Sequence, residues 1–182
     1  MVRTDRLRQE HGVEVAWLAF PLHPETPEEG LTLEELFAGR DVDIPAIQKR
    51  LREVAGSLSL PLSGRFKTYN SRLAQELAKW AESEGKGEEF HRAVFRAYFA
   101  DGRNIGKVEV LSDLAASVGL PADGAQRVMR ARSFREPVDA DWARSRALGI
   151  RAVPTFIVRQ RRITGFQPYE ALVELVTGIG KG

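Results

Sequence analysis

The sequence predicts an α/β fold interrupted by an all-helical insertion, and two observations carry that prediction. Short β-branched and aromatic runs alternate with helical periodicity near both ends, at Val13–Phe20 and again from Ala152 onward. Between them, from Tyr69 to Arg132, apolar residues recur only at helical spacing and nothing reads as strand.

RLRQEHG (6–12) looks like the last turns of a helix closed by Gly12, so the chain starts inside a helix. VEVAWLAF (13–20) has the short, β-branched character of a buried strand. PLHPETPEEG (21–30) is a proline-rich loop, after which Thr32 and Glu35 form a capping box for a short helix over LEELFAG (33–39). Asp43 caps the next helix, with Pro45 in its first turn, running through IQKRLREVAGSLS (47–59).

The helical stretch follows. NSRLAQELAKWAESEG (70–85) places Leu73, Leu77 and Trp80 on one face and ends at Gly85. EEFHRAVFRAYFADG (88–102) repeats the period with Phe90, Val94, Ala97 and Tyr98. EVLSDLAASVG (109–119) and PADGAQRVMRARS (121–133) supply two more helices, the latter opened by Pro121. After Pro137 the pattern changes: DADWARSRALG (139–149) is a helix stopped by Gly149 and AVPTFIV (152–158) a strand. RQRR (159–162) is then a turn, ITG (163–165) a second strand, and PYEALVELVTG (168–178) a closing helix.

Composition narrows the chemistry. With 27 Lys+Arg against 25 Asp+Glu the formal net charge is only +2, too weak a field to imply nucleic acid. No apolar run approaches a membrane span and the first residues are polar, so no membrane is expected and the expected compartment is the cytoplasm. The chain contains no cysteine, which removes disulfides, thiolate metal sites and cysteine nucleophiles. His11, His23 and His91 lie far apart without ligand spacing, so neither a metal nor any other cofactor is expected. Glu28–Glu29 and Glu34–Glu35 suit helix starts better than acid–base chemistry. His91 reads as a histidine at the edge of a core, Trp17, Trp80 and Trp142 as core, and Asn70 as a helix cap or, with Ser71, a ligand contact.

GIRAVPTFIV (149–158) is the most informative stretch, because a proline opening a strand cannot donate to the ladder. With the strand, tight turn, strand, Gly165 and helix that follow, it resembles the thioredoxin-like pattern in which a Val-Pro-Thr carries a cis bond. FPLHPETPEEG, YNSRLAQELAKWAESEGK, FHRAVFRAYFADGRNIGKVEVL, LAASVGL and ALGIRAVPTFIV extend the likeness over nearly all of residues 7–176. Together they resemble the FrnE-like branch of the DsbA family, related to the 2-hydroxychromene-2-carboxylate isomerases. The resemblance implies a thioredoxin-like domain in residues 1–61 and 135–182, with 62–134 as the helical insertion. It also implies thiol–disulfide oxidoreductase chemistry on disulfide-containing proteins or small thiols such as glutathione. Val153, Pro154 and Thr155 would then bind substrate through the backbone before the proline.

The resemblance breaks at the start. In the family a first strand leads into Cys-x-x-Cys at a helix N-terminus, where the dipole lowers the first thiol's pKa. Arg3–Gly12 (RTDRLRQEHG) match the later turns of that helix, so strand and motif would precede Met1 and this chain holds no catalytic residue of that kind. Truncation is the expectation, because the missing strand belongs between VEVAWLAF and PTFIV and its loss leaves strand edges unpaired. A shortened, redox-dead peptide-binding relative and a homodimer whose second chain fills the gap are the other readings. The isomerases accept Ser for the first Cys, but usually carry Asp-Arg after the last strand and Asn at the place of His23. Phe166-Gln167 stands here instead, which favours the thiol–disulfide branch over a glutathione-dependent isomerase.

Overall fold

The structure, a computed structural model, describes residues 2–63 and 67–178. Its elements run α1 (Val2–His11), β1 (Leu31–Thr32), α2 (Leu33–Leu36), α3 (Ile44–Ser57), β2 (Lys67–Thr68), α4 (Arg72–Ser83) and α5 (Gly87–Phe99). Then come α6 (Val108–Ser117), α7 (Ala122–Ala131), α8 (Arg135–Ala147), β3 (Thr155–Val158), β4 (Arg161–Thr164) and α9 (Tyr169–Thr177). The chain divides into two compact units, one of residues 1–22 with 140–182, the other His23–Asp139; α8 contributes to both.

Local chemistry places most of these elements. Thr32 accepts from the Glu35 amide while Glu35 reaches back to the Thr32 amide, the reciprocal box expected ahead of α2. Asp43 caps α3 through the Ala46 amide, with Pro45 in the first turn where no amide hydrogen is needed. Gly85 and Gly149 follow the ends of α4 and α8 at positive φ, where a side chain would be strained.

The second unit holds the larger core. Helix α4 packs on α5, α6 and α7, and Leu77, Phe90, Leu111 and Ala125 are fully buried between them. Trp80 is buried there; Leu73, Val94 and Tyr98 line the edge. Within this unit the loop after His23 and the short strands are tied to the helices. β1 pairs antiparallel with β2, Asn70 donates to the carbonyls of Pro24 and Thr26, and Asn104 donates to that of Glu28. Asn70 therefore ties a loop to α4, and its Oδ1 also accepts from the Arg72 amide.

The first unit is thinner. Leu7 of α1 is buried along with Leu172 and Leu175 of α9. The strand expected at Val13–Phe20 is not formed: this stretch enters no ladder among the described residues. Its backbone is met by side chains instead, with Arg8 donating to the Val15 carbonyl, Ala19 N–H to Asp141, and Ser145 to the Ala19 carbonyl. A strand needs a partner as well as strand-forming residues, and apolar character supplies only the second. Trp17 and Trp142 are half-buried rather than core.

The hairpin also departs from expectation at its turn. β4 begins at Arg161, not Ile163, because Val158 pairs with Arg161 and only Arg159 and Gln160 form the loop. Arg159 has φ +56, as a two-residue hairpin turn demands. Helix α8 likewise starts at Arg135, accommodating Pro137 in its first turn.

Candidate functional site

The Val153-Pro154 peptide bond is cis and leads into β3. Gly165 N–H donates to the Pro154 carbonyl at 2.8 Å, which locks the start of β3 to the end of β4. The Thr155 hydroxyl lies 2.7 Å from the Ala152 carbonyl, to which it donates, and 3.1 Å from the Thr164 hydroxyl. Val153 is 45 % exposed and Phe166 50 % exposed, so two large apolar side chains meet solvent at this end of the hairpin.

A ladder of side chains from α1 runs over the segment after β4. The Arg3 guanidinium sits 3.9 Å from the Phe166 ring centroid and also donates to the Gln167 carbonyl. Arg6 stacks 3.8 Å over the Tyr169 ring and bonds Glu10 at 2.7 Å, while the Tyr169 hydroxyl donates to Glu10 at 2.7 Å. The bonds from Arg6 and then Tyr169 hold the Glu10 carboxyl below its ordinary range. Loss of water and the Glu10 bond raise the Tyr169 phenol.

Chemically the site offers backbone, apolar surface and positive charge. Thr155 Oγ1 meets a carbonyl and a second threonine, and among the described residues no His, Asp or Glu is bonded to it to take its proton. The sequence has no thiol to substitute for it. The expected site residues Val153, Pro154 and Thr155 lie at the β3 entrance, where the Pro154 carbonyl takes the amide of Gly165; Arg3 meets the next two residues, Phe166 and Gln167. The Arg3–Phe166 stack was not legible beforehand, since residues 3 and 166 carry no local signal of their pairing.

Elsewhere, the candidates resolve into structural roles. His91 is largely buried beside Glu82, at 3.6 Å, and burial holds its pKa below the usual histidine value despite the pull of Glu82 and Glu88. Glu35 belongs to the α2 capping box, and Glu29 faces Lys107 at 3.6 Å. Among the described residues no group of His, Asp or Glu is arranged to hold a metal ion, and no helix is long and apolar enough to cross a membrane.

The most elaborate polar cluster was not anticipated. Glu76 on α4, with its side chain 1 % exposed, accepts from Arg72 Nε at 2.6 Å and from Arg132 Nε and Nη2 at 2.8 and 2.7 Å. Arg72 also reaches Asp139 at 2.7 Å and the Arg135 carbonyl at 2.9 Å. The spacing of Arg72 and Glu76 four apart was the available sequence signal. This cluster ties α4 to the end of α7 and the start of α8.

Known proteins share the sequence or the fold of this chain. The chain is 28 % identical over 154 residues to the Bacillus subtilis protein YwbO, covering 84 % of this chain and 76 % of that one. A probable DsbA oxidoreductase from Streptomyces coelicolor superposes with a TM-score of 0.87 at 26 % identity, over 97 % of this chain and 81 % of that one. A 2-hydroxychromene-2-carboxylate isomerase shares the fold with a TM-score of 0.75 at 18 % identity, over 97 % and 84 %. The cytosolic disulfide reductase DsbM from Pseudomonas aeruginosa, solved with GSH, does so at 0.56 and 23 % identity, over 79 % and 87 %. Residues 2–177 match the DSBA-like thioredoxin domain, and the chain belongs to that family.

Proposed function

We propose that this chain is a FrnE-like member of the DsbA family that binds extended polypeptide at Val153, Pro154 and Thr155 and performs no thiol–disulfide exchange itself. The observation that carries the reading is a family match over residues 2–177 in a chain without a single cysteine. Exchange requires thiolate attack on a disulfide sulfur and resolution by a second thiol, and neither group exists here. Val153, exposed ahead of Pro154 and β3, supports a binding role for that turn. The reading includes a thioredoxin-like domain of residues 1–61 and 135–182 with 62–134 as its helical insertion, a cytoplasmic setting and a homodimer.

Two measurements test it. With dithiothreitol present, insulin precipitation should proceed at the rate of the protein-free blank; a faster rate refutes the inactive reading. Fluorescent, unfolded carboxymethylated lactalbumin should bind, and Val153→Glu should weaken it about tenfold, the loss of one apolar anchor. Absence of binding refutes the peptide-binding reading. A glutathione-dependent isomerase is the competing class, and calorimetry with millimolar glutathione decides it: no heat is expected.

A further inference from the structure

Among the described residues every helix but α3 buries at least one side chain, and α3 buries none. Its sequence is nevertheless amphipathic: Ile44, Ile47, Leu51 and Val54 recur at helical spacing on one face. Ile47 is 45 % and Leu51 47 % exposed. A helix of 14 residues is marginal in water and draws most of its stability from packing such a face. The Asp43 cap and Pro45 secure its first turn but leave the stripe in contact with solvent.

The stripe borders a hollow of about 80 Å³ lined by Leu33 of α2, Phe37 just after it, Ile47 and Leu51 of α3, and Phe99 at the end of α5. That volume lies between a water molecule's share of about 30 Å³ and the cavity of about 150 Å³ that takes benzene, so it suits one aliphatic side chain. Phe95, half-exposed, stacks on Phe99 with ring centroids 5.8 Å apart and carries the apolar surface outward from the hollow. All of these residues belong to the unit His23–Asp139.

Charge selects the occupant. Around the α3 axis Arg50 and Arg52 fall on opposite sides of the stripe, and Arg52 also borders the hollow. Glu53 is the one acid of α3, and among the described residues none of Lys49, Arg50 and Arg52 meets a carboxylate. A second α3 laid on this one would set guanidinium against guanidinium on both flanks, and a flat bilayer sends no knob into a hollow. We infer that the groove between α2, α3 and α5 docks an amphipathic helix of another protein. One leucine-like residue fills the hollow, apolar residues a turn apart cover Ile47, Leu51 and Phe95, and carboxylates on both flanks meet Arg50 and Arg52. None of these residues belongs to the peptide-binding turn at Val153–Thr155, so the inference stands apart from that reading.

The probe is a peptide of two heptads, each Glu-Leu-Ala-Glu-Leu-Leu-Glu, amidated and carrying fluorescein at its N-terminus, and the readouts on the full chain are anisotropy and amide chemical shifts. Binding should saturate and shift the amides of Ile47, Leu51 and Phe99. Leu51→Gln, at an exposed position and with a good helix former, should weaken the peptide about tenfold, and so should Arg50→Glu with Arg52→Glu at low salt. Exchanging every glutamate of the peptide for lysine should cost about tenfold or more on the unaltered protein, which keeps the charge argument testable without a variant. Val153→Glu should change the affinity by less than about twofold. The proposal falls if no binding appears up to about 1 mM peptide, or if Leu51→Gln, with an unchanged far-UV spectrum, binds as the parent does. Leu51-dependent sedimentation with phosphatidylglycerol vesicles would put a membrane on this face and overturn it. A dimer in sedimentation equilibrium that Leu51→Gln dissolves would put a second copy there and overturn it too.

Discussion

Replacing Glu76 by Gln keeps the volume of a buried side chain and removes its charge. The carboxylate accepts three short bonds from two guanidinium groups. A net hydrogen bond to a charged group contributes about 1.5–3 kcal/mol, and glutamine can keep one through its amide oxygen while its NH2 faces donors. The smaller desolvation of glutamine and the escape of Arg132 to solvent, its side chain being 44 % exposed, offset part of the loss. The expected destabilisation is about 2–4 kcal/mol, lowering Tm by about 4–16 °C for a chain of this size. The pH dependence is a second signature. Burial pushes the Glu76 carboxyl up, but the Arg132 and Arg72 bonds outweigh it and leave its pKa below the ordinary value. The depressed folded-state pKa means this contribution is complete above the unfolded carboxyl pKa of about 4.3 and is lost as pH falls through the folded value. Urea unfolding of both proteins from pH 7 down to pH 3 should therefore show the gap closing in acid. A Glu76→Gln protein within about 0.5 kcal/mol of the parent at pH 7, with a parallel pH profile, would refute the account of the cluster.

Other positions give separate expectations. His91 should titrate below about 6.5 in NMR, because burial disfavours its charged form; a value above that range contradicts the burial account. Gly30→Ala should lower stability by several kcal/mol, about 2–4, since φ is +79 and a Cβ would lie 2.5 Å from the Thr68 carbonyl and 2.6 Å from the Tyr69 ring; calorimetry reads it, and a neutral result would mean that the loop moves freely. Leu77→Ala, at the centre of the α4–α7 packing, should cost about 2–5 kcal/mol in urea unfolding, with a smaller loss showing that the core collapses around the gap.

What could be read from the sequence was what is local or strongly periodic. The capping box at Thr32, the Asp43 cap and the faces of α4 and α5 all depend on residues three or four apart. The family was legible for the same reason, since GIRAVPTFIV and the helical segments are contiguous signals that survive without a structure. Val13–Phe20 failed as a strand because its partner is a matter of the whole fold, and its backbone is satisfied by Arg8, Asp141 and Ser145 instead. The β1–β2 pair was missed because two residues on each side carry no periodicity. Glu76 looked like any acid on a charged helix, and only the approach of Arg132 from the end of another helix makes it a buried hub. At the hairpin, the position of Pro154 could be foreseen, but not that Arg3 would close over Phe166.

The discontinuity of the first unit has a consequence for biosynthesis. Once Leu7 has left the ribosome, its buried companions on α9, Leu172 and Leu175, emerge only after the whole of His23–Asp139 has been made. At the usual pace of about 5–20 residues per second, α1 spends seconds without its packing partner. The helices α4 to α7 need no such delay, because their contacts are close in the chain and form as each helix appears. The nascent protein thus holds a finished helical body while α1 still waits, and α9 settles it.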